Sequence, residues 1–210
     1  MRKNTLAVAN PKREFTIRRS SVALAAVTLA AAFGPSLFSQ GQPQNQAPRP
    51  ALSRADETLE GWSDIGNRLI AMAQDFPEEK YNFKVQKDQR TFAQNILHAA
   101  AVDYEAIRSV SGSKIGPDFG KDVENPSRDV YKTKADVVKL IQQAVADGAM
   151  VIKQQGDAGL DKTTKFPWGN RMVHSSYTWM EATEHSGEHY GQLVVYYRAN
   201  NMVPPESRPR

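Results

Sequence analysis

The segment EHSGEHYGQLVVYYRANNMVPPESR places two of the chain's four histidines, His185 and His189, four residues apart. On a helix that spacing turns the side chain by about 40°, so both imidazoles reach one point. Such a pair is a recurrent way for a helix to offer two nitrogens to a transition metal. The plain alternative is two solvated histidines on a polar face. Leu193, Val195 and Tyr196 lie on or beside the same face, which turns the pair inward. Inward imidazoles without partners are costly, so they must share a ligand or a hydrogen-bond network.

A third nitrogen has to come from another helix. His98 sits in the apolar run NILHAAAV. Read alone it is a buried histidine bonded to a backbone carbonyl or to Asp103. Read with His185 and His189 it completes a three-histidine site with positions left open, which polarises a substrate or generates a nucleophile. His174, eleven residues before His185, lies roughly 16 Å away along the axis and is a helix-entry or pocket-rim residue. Glu188 and Asp103 are candidates for a base or for the carboxylate that receives a ligand's other N–H. For Glu188 a solvated helix carboxylate is the competing reading. Tyr104 and Tyr190 are weaker candidates, because rings on bundle helices ordinarily fill the core.

His185-Ser-Gly-Glu188-His189 also spells H-x-x-E-H, the inverted zincin pattern with its glutamate base. Peptidases of that kind carry a further acidic ligand well downstream. Here only Glu206 follows, in a proline-rich tail, and Gly187 is a poor helix former. The peptidase reading is set aside.

Four helices must position these residues. In LEGWSDIGNRLIAMAQDF, apolar side chains recur at Leu59, Trp62, Ile65, Leu69, Met72 and Phe76, and Pro77 ends the run. The second helix runs from about Arg90 to Ser111-Gly112 with Phe92, Ile96, Ala99 and Val110 on its main face. His98 falls on the flank of that face beside Asn95 and Val102, and Asp103 falls near its centre, where it needs a partner. Thr133 and Asp136 form a capping-box signal for the third helix. The segment GDAGLDKTTKFPWGN reads as a long loop, and no period-two run marks a strand. The fourth helix spans about 173–200 and is closed by Asn200-Asn201 and Pro204-Pro205. The expectation is an all-α four-helix bundle over residues 55–203, followed by a Pro-rich C-terminal tail at 204–210.

The leader reads differently. A basic stretch followed by the apolar run SVALAAVTLAAAF is the layout of an export signal over residues 1–40. The run is shorter than the roughly 20 residues that span a bilayer, so no stable membrane insertion is expected after cleavage. Arg18-Arg19 before the run admits a twin-arginine signal beside an ordinary one. Residues 41–54, rich in Gln and Pro, read as a disordered linker. The destination is periplasmic or secreted. There is no cysteine, which excludes disulfides, thiolate ligands and a lipidated mature N-terminus. Residues 1–50 hold seven of the 27 basic and one of the 23 acidic residues, leaving a net of −2 on 51–210. The basic balance belongs to the leader, and a nucleic-acid partner is excluded for the rest.

Residues 55–208 resemble the DinB-like (DinB/YfiT-like) metal-binding bundles. The likeness rests on HSGEHYGQL with the following VPP, on DFPEEKYNF, and on QRTFAQNILHAA. It implies a four-helix bundle, often a homodimer, with a divalent metal held by one histidine of the second helix and two of the fourth. Those roles fall on His98, His185 and His189. Zinc is the expected ion, with nickel, iron and manganese as alternatives. Some members are thiol-dependent transferases or isomerases. The expectation is therefore an exported metal-dependent transferase or hydrolase acting on a small molecule, with Glu188 as base or supporting carboxylate. The competing expectation is a metal- or ligand-binding bundle without turnover.

Overall fold

Ser53 begins the first helix because its Oγ accepts the Asp56 N–H at 3.0 Å, filling one of the free donors of a helix start. The computed structural model describes residues 50–209, so the expected export signal and residues 41–49 of the expected linker lie outside the described residues. Helix α1 (Arg54–Asp75) stops where the Phe76 N–H closes on the Met72 carbonyl and Pro77 forbids another turn. Helix α2 (Phe92–Ser111) starts from a capping box between Thr91 and Gln94 and ends at Gly112, whose φ of 65° suits glycine. Helix α3 (Lys134–Leu160) starts from the expected Thr133–Asp136 box, with bonds of 3.1 and 2.8 Å. It continues past a kink at Gly156 (φ 55°), where the sequence suggested that the loop begins. Helix α4 covers Ser175–Ala199.

The expected loop between α3 and α4 contains two short strands, β1 (Thr163–Lys165) and β2 (Met172–His174), paired antiparallel with Thr163 opposite His174. Val173, expected in the fourth helix, belongs to β2. Strands of three residues are too short to show an alternating pattern. The hairpin is tied to α2, where Ser109 Oγ donates to the Lys165 carbonyl at 2.6 Å. Its turn carries Phe166 and Trp168.

In the bundle α1 and α2 each pack between α3 and α4, so α1 lies diagonal to α2, and α3 to α4. The connections at 76–91 and 161–174 therefore cross the bundle, which places the two histidine-bearing helices side by side. At one level Trp62 meets Trp179 edge-on, with centroids 5.1 Å apart, and donates its N–H to the Val145 carbonyl at 2.9 Å. At another, Phe76 stacks on Phe92 at 3.9 Å and Tyr197 leans against both. Each such ring removes roughly 150–250 Å² from water, on the order of 4–6 kcal/mol before the cost of ordering it. Between α2 and α4 the core turns polar: Asn95, His98, Asp103, Ser186 and His189 are all buried. Among the described residues no helix is long and apolar enough to cross a membrane.

Candidate metal centre

The α2–α4 contact brings three imidazoles to one point. His185 Nε2 lies 3.2 Å from His98 Nε2 and 3.2 Å from His189 Nε2. A ligand atom from each residue falls within 4.8 Å of the others. His98 and His189 are only 6% and 3% exposed, so their hydration is lost and something else must satisfy them.

The opposite ring nitrogens show which lone pairs are available. His98 Nδ1 stands 2.5 Å from the Glu124 carbonyl, which can only accept, so Nδ1 carries the proton. Glu124 lies in the loop between α2 and α3, and that loop is held by Arg90, whose Nε and Nη2 both donate to Asn125 Oδ1. His189 Nδ1 faces Asn95 Oδ1 at 3.2 Å. The Asn95 amide has one orientation, because its Nδ2 donates to the Thr91 carbonyl at 3.1 Å. Nδ1 of His189 is therefore the donor. Both residues are left with an Nε2 lone pair aimed at the shared point. His185 Nε2 could donate to one of them but not to both. A cation that accepts all three lone pairs satisfies the group.

The spacing suits such an ion: two nitrogens on a tetrahedral centre at about 2.0–2.1 Å stand about 3.3 Å apart. Burial depresses His189 to about 3 and His185 to about 4, with the neighbouring imidazoles and Arg90 adding to the effect. Burial also lowers His98, outweighing the opposing influence of the Glu124 carbonyl. The three rings are neutral at neutral pH, the form that ligates a metal. His185 Nδ1 is buried and without a partner among the described residues.

A cavity of about 580 Å³ opens over this point, with His98 and His185 in its wall. Glu188 lines it as an exposed carboxylate and bonds to none of the three rings among the described residues. Asp103 is fully buried and accepts from Ser186 Oγ at 3.1 Å rather than from a histidine. Both ring partners that the structure shows are neutral oxygens, not carboxylates. His174 stands at the entry to α4, its Nδ1 2.8 Å from the Asp161 carbonyl. Tyr104 turns away to Asp147, and Tyr190 lies under Arg68. Val195, expected beside the histidines, is 51% exposed: it stands about 120° round the helix from His189, whereas Leu193 and Tyr196 do point inward. Asn95 was legible only as a neighbour of His98 one turn away. A loop carbonyl such as that of Glu124 leaves no trace in residue types.

Comparison with known proteins supports the bundle fold and shows the family. The backbone is similar to the crystal structure of a DinB-like protein from Bacillus cereus ATCC 10987, with a TM-score of 0.58 at 16% identity. That likeness covers 71% of this chain and 95% of the other. No curated protein matches the chain at a significant level. A sequence profile of the DinB superfamily matches residues 62–193, which include all of α2 with His98 and the part of α4 that carries His185 and His189. The chain belongs to the DinB superfamily.

Proposed function

We propose that this chain is an exported metalloenzyme in which His98, His185 and His189 hold one divalent ion, zinc first, with nickel, iron and manganese as the alternatives that the same donor set admits. The observation that supports this most is the convergence of the three Nε2 atoms, two of them with lone pairs fixed by hydrogen bonds on the opposite nitrogen. A divalent ion at that point supplies Lewis-acid polarisation of a substrate oxygen or thiol. The cavity over the centre favours turnover over a purely structural metal, because a structural site is closed by its ligands.

The residues have distinct work in this reading. Asn95 and the Glu124 carbonyl orient His189 and His98. Glu188, on the cavity wall one residue before His189, is placed to take or return a proton across the cavity. The substrate is a small molecule, and the reaction is a transfer or a hydrolysis. Export rests on the leader at 1–40, and pairing into homodimers on the family resemblance. Nucleic acid is not a partner, given the net of −2 on residues 51–210.

The test is metal content by elemental mass spectrometry on protein purified without added metal or a histidine tag. About one divalent ion per chain is expected, lost in both His98→Ala and His189→Ala. A wild type that stays metal-free after zinc, nickel and manganese are offered would overturn the reading.

A further inference from the structure

The carbonyl that fixes the His98 proton comes from an exposed stretch of the loop at 112–133. Bonds to α2 hold the start of that loop, where Arg108 donates from Nε to the Ile115 carbonyl and from Nη2 to the Pro117 carbonyl. Phe119 then packs against Tyr104 and Tyr131. From 120 to 127, two residues hydrogen-bond outside the loop among the described residues. Glu124 accepts from His98 Nδ1, and the next residue, Asn125, accepts from Arg90.

The Arg90 contact is built at both ends. Its Nε and Nη2 converge on Asn125 Oδ1 at 3.1 and 3.0 Å. The Asn125 amide has one orientation, because its Nδ2 donates to Asp122 Oδ1 at 3.0 Å. Arg90 itself directly precedes Thr91, the cap of α2, and its carbonyl accepts from the Tyr196 hydroxyl of α4. It thus joins the loop to both helices that carry the histidines. Its charge, however, works against the centre. Burial lowers the proton affinity of all three imidazoles, and the Arg90 cation lowers it further. A divalent ion at the same point meets the same repulsion, so the guanidinium calls for a geometric reason.

The tautomer of His98 supplies that reason. A neutral imidazole with no acceptor at Nδ1 favours its proton on Nε2, the atom that must keep a lone pair to ligate. We propose that Arg90 is a positioning residue of the metal centre: by clasping Asn125 it holds the Glu124 carbonyl on His98 Nδ1 and keeps the Nε2 lone pair open. This rests on the metal-centre reading and deepens it, because it makes ion affinity depend on a loop that contributes no ligand.

The test uses the full chain with Asn125→Ala, Arg90→Lys and the double variant. Asn125 is exposed, and lysine keeps the charge of Arg90 while losing its planar fork. Ring ¹⁵N shifts of metal-free protein at neutral pH report the tautomers, and chelator competition reports zinc affinity. In the wild type His98 is expected to carry its proton on Nδ1. Asn125→Ala is expected to move it toward Nε2 and to cost about tenfold in zinc affinity. The His189 tautomer, held by Asn95, should not move. Adding Arg90→Lys to Asn125→Ala is expected to cost nothing more, because both act through one contact. An unchanged His98 tautomer would overturn the proposal and assign the loop's position to the buried Pro126. Additive losses, or zinc affinity that holds while the tautomer moves, would overturn it as well. A wild type that takes up no zinc but shows the tautomer change rejects the metal centre and upholds the clasp, so the two readings fail separately.

Discussion

Asp103 sits at the α2–α4 contact with 2% of its surface exposed, and the Ser186 hydroxyl is its hydrogen-bond partner. A neutral hydroxyl does not replace the lost hydration, so burial pushes the carboxyl up to about 7 against the opposing effect of Ser186. The folded value thus lies above the unfolded one of about 3.9, and the folded state holds the proton more tightly. The resulting stability is full below about pH 3.9 and is lost as pH rises through about 7. Asp103→Asn keeps the shape and removes the ionisation. Chemical denaturation is expected to find the variant equal to the wild type below pH 4 and more stable at pH 8, by on the order of 4 kcal/mol. Identical pH profiles would show that Asp103 is not the group that titrates. Asn95 makes a separate prediction, because it orients His189 and is not one of the three residues that could hold an ion. Asn95→Ala is expected to cost about 10–100-fold in metal affinity, read by competition with a chelator, while the fold survives. An unchanged affinity would mean that packing alone holds the His189 ring.

At the scale of elements, α1 and α3 approach one another through glycine. A Cβ on Gly148 would meet the Trp62 indole, and a Cβ on Gly66 would meet Val145 at 2.5 Å. The indole has nowhere to go, since its N–H holds the Val145 carbonyl and its ring abuts Trp179. Gly148→Ala is expected to cost about 1–3 kcal/mol, a fall in Tm of about 2–4 °C for each kcal/mol in a chain of this size. Metal content should be unchanged, because the histidines lie on the other helix pair; an unaltered Tm would mean that the indole can shift. The helices themselves were legible in the sequence. Trp62, Leu69 and Met72 repeat at helical spacing and all are buried, and the Thr133–Asp136 box opens α3 as its pattern requires. The site was legible for the same reason: His185 and His189 are a period apart, and His98 interrupts an apolar run. What stayed hidden depends on long-range contact. The hairpin is too short for a pattern, the diagonal order of the helices is set by loops that cross the bundle, and the Glu124 carbonyl has no side-chain signature. The Gly156 kink was hidden because a helix can resume after a glycine that ends its first segment.

At the scale of the whole molecule, the C-terminal end of the described chain is joined to the end of α1. Pro204 is buried, and beyond it Arg208 turns back to α1, donating from Nη1 and Nη2 to the two carboxylate oxygens of Asp75 at 2.8 and 2.5 Å. The Pro-rich tail thus docks on the bundle. Asp75 is the last residue of α1, where the helix dipole disfavours a negative charge, so a cation there offsets a local cost. The Tyr197 hydroxyl adds a third bond at 3.1 Å and links the same carboxylate to α4. Arg208 first, and Tyr197 after it, hold the Asp75 carboxyl below the ordinary carboxylate range against the effect of burial. A folded value below the unfolded one gives stability that is present above about pH 3.9 and lost as pH falls through the lower folded value. Arg208→Ala is therefore expected to lower the Tm at neutral pH, with the gap closing in acid and narrowing in high salt, because the pair is partly exposed. Thermal scans of both proteins from pH 7 down to about pH 2 would follow the gap. A gap that stays constant across that range would assign the loss to the packing of the Arg208 side chain and its bonds to the Val203 carbonyl instead of to its charge.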